Sequence, residues 1–417
     1  MNCCCGSLGK TLHYVSPAHG GWGVVRIAAL VPESYQLFVA PFACGRHGAL
    51  GGILNGIKDR ISYLFIDESD IVSGGYEDLI PEAVEELLAS LEKRPKVLMI
   101  FVSCLDDLLG TDHVSLNQRL SERFPEIKFL SCHMNPISLD TDFPPGVTLQ
   151  NNIYSLLEKS DKKDRAINLI GNNASLKEDC ELFALMNNEG IKVKHIGDCA
   201  TFHDFEEMSK SLVNVVLSPV AKHAAKNMEQ SLAITALRAY TTYSLSEISE
   251  FYKLLGEYLG VKLDYQSYYD QAENSLKQAH SLIGDMPIAI DYQAVRKPFT
   301  LAKTLLEYGF NVRLIMIDSV KALEKEVYDF IIKNYPEVEI VNALHHEMAH
   351  IPIRQEEYLC IGIDCAYATK AKKVVNIMED EALFGFFGIS ELMRMIVEAN
   401  GQDSDLKEMI EGAKLII

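Results

Sequence analysis

The alternation of short apolar runs with amphipathic stretches constrains the fold of this chain most strongly. Most runs are rich in valine, isoleucine and leucine at successive positions, which is typical of parallel strands buried on both faces. A strand followed by a helix, repeated along the chain, indicates a doubly wound α/β fold with mainly parallel sheets. We predict strands over 35–40, 62–67, 96–103, 127–132, 166–171, 191–197, 214–219, 286–291, 311–317, 338–344 and 358–364.

The length of the chain and two breaks in this pattern indicate three domains. At 417 residues the chain exceeds what one hydrophobic core usually serves. A charged run at 159–165 precedes a new predicted strand, and a long helical stretch ends at 284–287, where another strand–helix unit begins. We therefore expect three α/β domains over 1–164, 165–285 and 286–417.

Composition and charge narrow the classes of protein to which the chain can belong. Hydrophobic residues make up 48% and charged residues 23%, which is typical of a soluble globular protein. No apolar run reaches the roughly 18 residues of a membrane span, and the pattern of a secretory signal is missing. We therefore expect a cytoplasmic location, with most of the 10 cysteines as reduced thiols. The net charge of −19 argues against nucleic acids and anionic membranes as partners.

Three adjacent cysteines, Cys3, Cys4 and Cys5, precede a Gly-Lys-Thr at 9–11 in the opening segment MNCCCGSLGKTLHY. This Gly-Lys-Thr is not a phosphate-binding loop, because such a loop needs an earlier glycine where Cys4 stands and a strand before it. The three cysteines could instead form a disulfide, supply thiolates to a metal cluster, or stay idle at a frayed terminus.

A second apparent motif is formed by His346, Glu347 and His350, which match the H-E-x-x-H pattern of zinc peptidases. On an α-helix the two imidazoles would share a face, and the glutamate could activate a bound water. Pro352 follows closely, so any helix ends there, and no third ligand stands at the usual distance downstream. A zinc hydrolase is therefore a minor hypothesis, and a loop that follows a strand and lines a cavity is the interpretation that we prefer.

Two further cysteines each follow a predicted strand. Cys44 lies in the glycine-rich stretch APFACGRHGALGG, and Cys104 follows the strand KVLMIFVS. Both are expected at the carboxyl ends of parallel strands, where α/β sheets bind their ligands. Such cysteines can hold an iron–sulfur cluster without a C-x-x-C motif. The other cysteines are interpreted mainly as small core residues, namely Cys132, Cys180, Cys199, Cys360 and Cys365.

Several segments together resemble the nitrogenase component 1 family. Its relatives include dark-operative protochlorophyllide reductase, chlorophyllide reductase and the reductase of coenzyme F430 biosynthesis. The resemblance covers nearly the whole chain and implies three Rossmann-like domains around a cleft. The segments are SPAHGGWGVV, FACGRHGAL, IDESDIVSGGYEDLI, SCLDDLLGTD, LRAYTTYSLSEISEFYKLLGEYLG and MEDEALFGFFGISELMRMI.

The resemblance implies a 4Fe–4S cluster at a subunit interface, held in the family by three cysteines of each subunit. Carried over to this chain, the second cysteine is Cys44, the third is Cys104, and the first position is Ser16. The missing thiolate could come from the opening triplet, with Cys4 and Cys5 as the main candidates. A serine alkoxide of Ser16, a carboxylate or a water could also complete the shell.

Two departures from the family pattern narrow the expected chemistry. Ser218 and Pro219 stand where the cysteine that anchors the nitrogenase cofactor is expected, and the segment EALFGFFG lacks the cofactor's histidine. We therefore do not expect dinitrogen reduction. The resemblance instead implies an organic or tetrapyrrole substrate in the cleft, or one that is not yet assigned.

The leading hypothesis is a nitrogenase-like reductase subunit, in a homodimer or in a heterodimer with a related subunit. A separate ATP-dependent iron protein would supply electrons. Candidate proton donors are Asp106, Asp107, His47 and His113, although surface caps and helix-terminal charges explain these residues equally well. The main alternative is a non-catalytic scaffold that assembles an iron–sulfur or other metal cofactor and passes it on.

Overall fold

In the computed structural model the chain is described at residues 12–20, 24–134, 143–350 and 357–413, apart from the side chains of Val24, His47, Ala349 and His350. The opening triplet of cysteines lies outside the described residues, so its role stays a prediction. The described chain forms three sheets, and every pair of neighbouring strands in them is parallel.

The first sheet contains β1 (Ser34–Ala40), β2 (Ile61–Phe65), β3 (Val97–Ser103) and β4 (Lys128–Met134), in the order β2-β1-β3-β4. Its helices are α1 (Val24–Ala29), α2 (Phe42–Leu54), α3 (Glu68–Ser73), α4 (Tyr76–Ser90), α5 (Cys104–Leu109), α6 (His113–Arg123) and α7 (Pro145–Tyr154). Every residue of β3 is buried. Its side chains alternate between two apolar clusters, one with Met99 and Phe101 and one with Leu98 and Ile100. Apolar residues occupy successive positions because both faces of the sheet are covered.

The second sheet contains β5 (Ala166–Ile170), β6 (Lys192–His195), β7 (Val213–Val216) and β8 (Thr235–Arg238), in the order β6-β5-β7-β8. Its helices are α8 (Glu181–Asn188), α9 (Phe202–Glu206) and α10 (Lys222–Leu232). Two long helices, α11 (Leu245–Leu259) and α12 (Gln266–Ile283), then lead to the third sheet.

The third sheet contains β9 (Ile288–Asp291), β10 (Val312–Ile317), β11 (Glu339–Asn342), β12 (Leu359–Ile361) and β13 (Lys373–Val375), in the order β11-β10-β9-β12-β13. Its helices are α13 (Pro298–Glu307), α14 (Lys325–Asn334), α15 (Ile363–Thr369), α16 (Gly385–Gly401) and α17 (Leu406–Gly412). The predicted α/β class with mainly parallel sheets is confirmed.

Apolar cores continue from one sheet to the next. One buried cluster contains Phe38 of the first sheet and Ile170 of the second. Another contains Leu169 of the second sheet and Ile290 of the third. The sheets use separate parts of the sequence but share their cores, so the predicted domain boundaries stay predictions. Among the described residues, none of the helices is both long enough and apolar enough to cross a membrane.

Each sheet has a switch point, the place where the chain changes direction across the sheet. The switch point lies between β1 and β3 in the first sheet, between β5 and β7 in the second, and between β9 and β12 in the third. Open α/β sheets bind ligands beyond the carboxyl ends of the strands at such points. Two glycines allow the backbone to close there: Gly171 has φ 101° and Gly362 has φ 114°. A Cβ on Gly362 would lie 2.5 Å from Cβ of Asp291, so only glycine fits this position.

Candidate functional site

Cys44 and Cys104 lie at the switch point of the first sheet. Cys44 is in the first turn of α2, which follows β1, and Cys104 is the first residue of α5, which follows β3 directly. Val39 of β1 pairs with Val102 of β3, so both helices begin at the same edge of the sheet. Both cysteines are free thiols, with Cys44 exposed and Cys104 partly exposed. Both cysteines therefore lie in first helical turns at the carboxyl ends of their strands, which is the edge of the sheet that the sequence predicts.

Exposed apolar side chains lie on the helices that follow the first three strands of this sheet. We call Phe42, Val72, Leu108 and Val114 the apolar rim; they lie on α2, α3, α5 and α6, which follow β1, β2 and β3. Their exposed fractions are 69%, 80%, 77% and 80%. The ring of Phe65, at the end of β2, lies 5.1 Å from that of Phe42. Exposed apolar side chains on helices at the carboxyl ends of neighbouring strands suggest a surface suited to a protein partner.

Three of the four predicted proton donors, Asp106, Asp107 and His113, take part in two histidine–aspartate hydrogen bonds. Nε2 of His113 is hydrogen-bonded to Oδ2 of the buried Asp106. Nδ1 of His133 lies 2.8 Å from Oδ1 of Asp107. Sequence reasoning missed His133, although the end of β4 is a position at which a ligand-facing residue is expected. His47 lies in α2, and its side chain is not among the described ones.

Ser16 lies at the switch point of the third sheet, where its buried hydroxyl donates a hydrogen bond to Oδ1 of Asp364. The backbone N–H of Ala18 donates to the same hydroxyl oxygen at 3.2 Å. The preceding segment is held by a bridge between His13 and His345. The structure therefore joins Ser16 to the third sheet, whereas Cys44 and Cys104 share an edge of the first sheet. The role of Ser16 as a cluster ligand stays a prediction.

A second carboxyl group, that of Asp291, is buried beside Asp364. Oδ2 of Asp291 accepts the backbone N–H groups of Asp364 and Cys365 at 2.8 Å and 3.2 Å. Burial, followed by repulsion from Asp364, raises the pKa of Asp291 to about 7. Burial also raises the pKa of Asp364, against the hydrogen bond from Ser16, which lowers it. Two neighbouring buried carboxyl groups can therefore hold a proton at this switch point near neutral pH.

A cavity of about 430 Å³ lies between the carboxyl ends of the second and third sheets. Ser218 and Tyr240 line it from the second sheet, and Gln293, Arg296 and Lys321 line it from the third. A neighbouring cavity of about 420 Å³ shares Tyr240, Lys297 and Leu323 with it. Two adjoining cavities of this size are large enough for an organic molecule, since small-molecule sites measure roughly 300–1,000 Å³.

The walls of the larger cavity carry cationic side chains and carboxyl groups with raised pKa. The guanidinium group of Arg296 donates to Oε1 of the buried Glu381 and to Oδ1 of Asn172, at 2.8 Å each. Burial and repulsion from Glu381 raise the pKa of Glu379, and burial raises that of Glu324. Held cations can bind an anionic group, and carboxyl groups with raised pKa can supply protons.

The described residues that line the larger cavity lack cysteine and histidine side chains. Its walls contain Ser218 and Pro219 but neither cysteine nor histidine among the described residues. Of the predicted proton donors, Asp106, Asp107 and His113 belong to the edge of the first sheet and are not in these walls. Because these three residues do not line the cavity, their role as its proton donors stays a prediction.

The H-E-x-x-H segment forms a 3₁₀ helix over His346–His350, after β11. A 3₁₀ helix has about three residues per turn, so side chains four positions apart point in different directions. The α-helix that the zinc-peptidase interpretation requires is therefore not formed over these residues. Oε2 of Glu347 lies 3.7 Å from Nδ1 of His345. Met348 of the same segment lines a smaller cavity of about 170 Å³ beside Ser16 and Asp364.

Comparison with known proteins supports one family. The family model "Nitrogenase component 1 type Oxidoreductase" matches residues 22–400. The solved structure "Nitrogenase Cp1 at pH 6.5" superposes with a TM-score of 0.73 at 16% identity, covering 93% of each chain. A second, "Nitrogenase Cp1 at pH 5", gives a TM-score of 0.60 at 12% identity, covering 93% of this chain and 90% of the other. No curated protein matches the sequence significantly.

Proposed function

Because this chain belongs to the nitrogenase component 1 type oxidoreductase family, we propose that it is a nitrogenase-like reductase subunit with an iron–sulfur cluster at a subunit interface. The observation that carries the proposal is the position of Cys44 and Cys104 at one switch point, on the helices that also carry Phe42 and Leu108 of the apolar rim. Exposed thiols among exposed apolar side chains suit a cluster that a second subunit covers.

Thiolates are the ligands that a 4Fe–4S cluster takes. Each subunit would contribute Cys44 and Cys104, and Cys4, Cys5 or Ser16 would supply the third ligand that the family pattern implies. The partner is a second copy or a related subunit with equivalent ligands. When bound, the cluster supplies one-electron transfer. The residues of this chain supply the thiolates, and the apolar rim excludes water around them.

We propose the two adjoining cavities as the substrate site, for an organic molecule of the tetrapyrrole kind or a related class. Arg296 and Lys321 would bind anionic groups of the substrate, and the carboxyl groups of Glu324 and Glu379, whose pKa burial raises, would line the site beside it. Ser218 lines the cavity, and the sequence resemblance assigns its position to the cysteine that anchors the nitrogenase cofactor, which supports a substrate other than dinitrogen.

A separate ATP-dependent iron protein is the proposed electron donor. The absence of a phosphate-binding loop in the opening segment supports a nucleotide site on another chain. The acidic balance of this chain, with a net charge of −19, favours a donor surface rich in lysine and arginine.

The test of the proposed function is electron transfer in the anaerobic protein. We expect a reduced nitrogenase-type iron protein to reduce the cluster when ATP is added and not when ADP is added, measured by electron paramagnetic resonance. A cluster that stays oxidised with ATP but moves to an apo-ferredoxin would overturn the reductase and establish the scaffold instead.

A further inference from the structure

Three potential metal ligands converge beyond the ends of β3 and β4. Asp106 lies in α5, His113 begins α6, and His133 is near the end of β4. One ligand atom from each lies within 4.8 Å of the other two. The two imidazole rings are 4.9 Å apart between centroids and nearly perpendicular, at 83°. The fold brings them together because Ser103 and Met134 pair at the ends of the two strands.

Two polar atoms of this group are buried and have no hydrogen-bond partner among the described residues. They are Oδ1 of Asp106, whose residue is only 3% exposed, and Nδ1 of His113. Burial removes the water that would otherwise solvate these atoms, and a buried polar atom without a partner is unfavourable. A cation held among the three side chains would provide the missing interaction.

Asp107 orients the third ligand. Its Oδ1 lies 2.8 Å from Nδ1 of His133. If Nδ1–H of His133 donates to that carboxylate, Nε2 carries the lone pair and can bind a metal. Metal-binding histidines usually donate their other ring N–H to a carboxylate or carbonyl in this way. Asp107 is therefore a positioning residue for this group.

We propose that Asp106, His113 and His133 bind one divalent transition-metal ion, of the zinc or iron(II) kind, separately from the cluster on Cys44 and Cys104. Two imidazoles and one carboxylate suit these ions, whereas calcium and magnesium prefer oxygen ligands alone. Tetrahedral ligands at about 2.1 Å from the metal lie roughly 3.4 Å apart, within the 4.8 Å that encloses the three ligand atoms. A bound ion would replace the hydrogen bond between His113 and Asp106. The partly exposed His133 leaves the site accessible for an ion and a water.

The bound ion would tie α5 to β4. Because Cys104 is the first residue of α5, the ion would fix the backbone from which this thiol projects. This ion would lie at the same edge of the first sheet as the proposed cluster. Its binding does not depend on the proposed redox function.

The test is binding of cobalt(II) and zinc to the full chain carrying Cys44→Ala and Cys104→Ala, which removes the thiols of the proposed cluster. We expect one cobalt ion per chain, with visible absorption bands, and displacement by zinc. Asp106→Ala, His113→Ala and His133→Ala should each abolish this binding, measured by absorption and calorimetry. Asp107→Asn should weaken it by about tenfold or more.

The matched control is His203→Ala, because the side chain of His203 is 76% exposed and pairs only with nearby carboxylates. This variant should bind cobalt like its parent. Circular dichroism identifies any variant that fails to fold, and His133→Gln then replaces His133→Ala. The absence of cobalt binding in the parent chain would overturn the proposal, as would equal binding in the three ligand variants and in His203→Ala.

Discussion

Cys44 and Cys104 are the residues on which the proposed cluster depends. We expect Cys44→Ala or Cys104→Ala to lower the cluster iron and sulfide of the anaerobically purified protein at least severalfold, since each change removes one thiolate ligand. Cys180→Ala is the matched control, because Cys180 is 1% exposed in the core and its loss leaves only a small cavity. Equal iron and sulfide in all three variants would show that the ligands are elsewhere.

The carboxyl group of Asp291 makes the free energy of unfolding depend on pH. Its pKa rises from 3.8 to about 7 on folding, so the folded chain keeps a proton that the unfolded chain has lost between these values. Its contribution to the free energy of unfolding therefore falls as pH rises through this window, by at most about 4 kcal/mol, and is constant above it.

The pH dependence of Asp291 is measured by urea unfolding of the metal-free protein at several pH values. The difference in stability between the parent chain and Asp291→Asn should shrink as pH rises towards 7, because asparagine does not titrate. A difference that is constant with pH, or that grows, would show that Asp291 is ionised in the folded chain.

At the scale of elements, the switch point of the third sheet depends on Gly362. We expect Gly362→Ala to destabilise the protein by about 3 kcal/mol or more, because positive φ and a close contact with Asp291 both oppose a side chain. Gly190→Ala is the control: Gly190 has φ 63°, but a Cβ there would meet nothing within 4 Å, so about 1 kcal/mol is expected. Similar losses of stability in the two variants, measured by denaturant unfolding, would contradict the tight closure.

The strands could be predicted well from the sequence because buried parallel strands are continuous apolar runs. The predicted 35–40 and 311–317 correspond to the observed β1 at Ser34–Ala40 and β10 at Val312–Ile317. The strands β8 and β13 were missed, since they have four and three residues and form no apolar run of their own.

The candidate site could be predicted only where a residue directly follows a strand. The positions of Cys44 and Cys104 follow from their own strands, so the sequence indicated their common edge. The pairing of Ser16 with Asp364, and of Asp107 with His133, joins residues from different elements. Such contacts depend on strand order and on packing, neither of which a single sequence displays.

At the scale of the whole molecule, the apolar rim is the proposed contact with the second subunit. We expect Leu108→Asp to dissociate the dimer and to lower its cluster content, because a carboxylate buried in an apolar interface is costly. Leu282→Asp is the control, since Leu282 is 66% exposed on α12, outside the rim. Anaerobic size-exclusion chromatography with light scattering measures the change; a dimer that tolerates Leu108→Asp but not Leu282→Asp would move the interface to α12.

The measurement that tests the central claim most directly is native mass spectrometry of the anaerobically purified protein. The claim is that this chain holds an iron–sulfur cluster between two subunits, and the method reports the subunits and the cluster in one mass. We predict a dimer, of two copies or with a related subunit, whose mass includes one 4Fe–4S cluster. A monomer without inorganic sulfide, from protein that is folded and colourless, would contradict the claim.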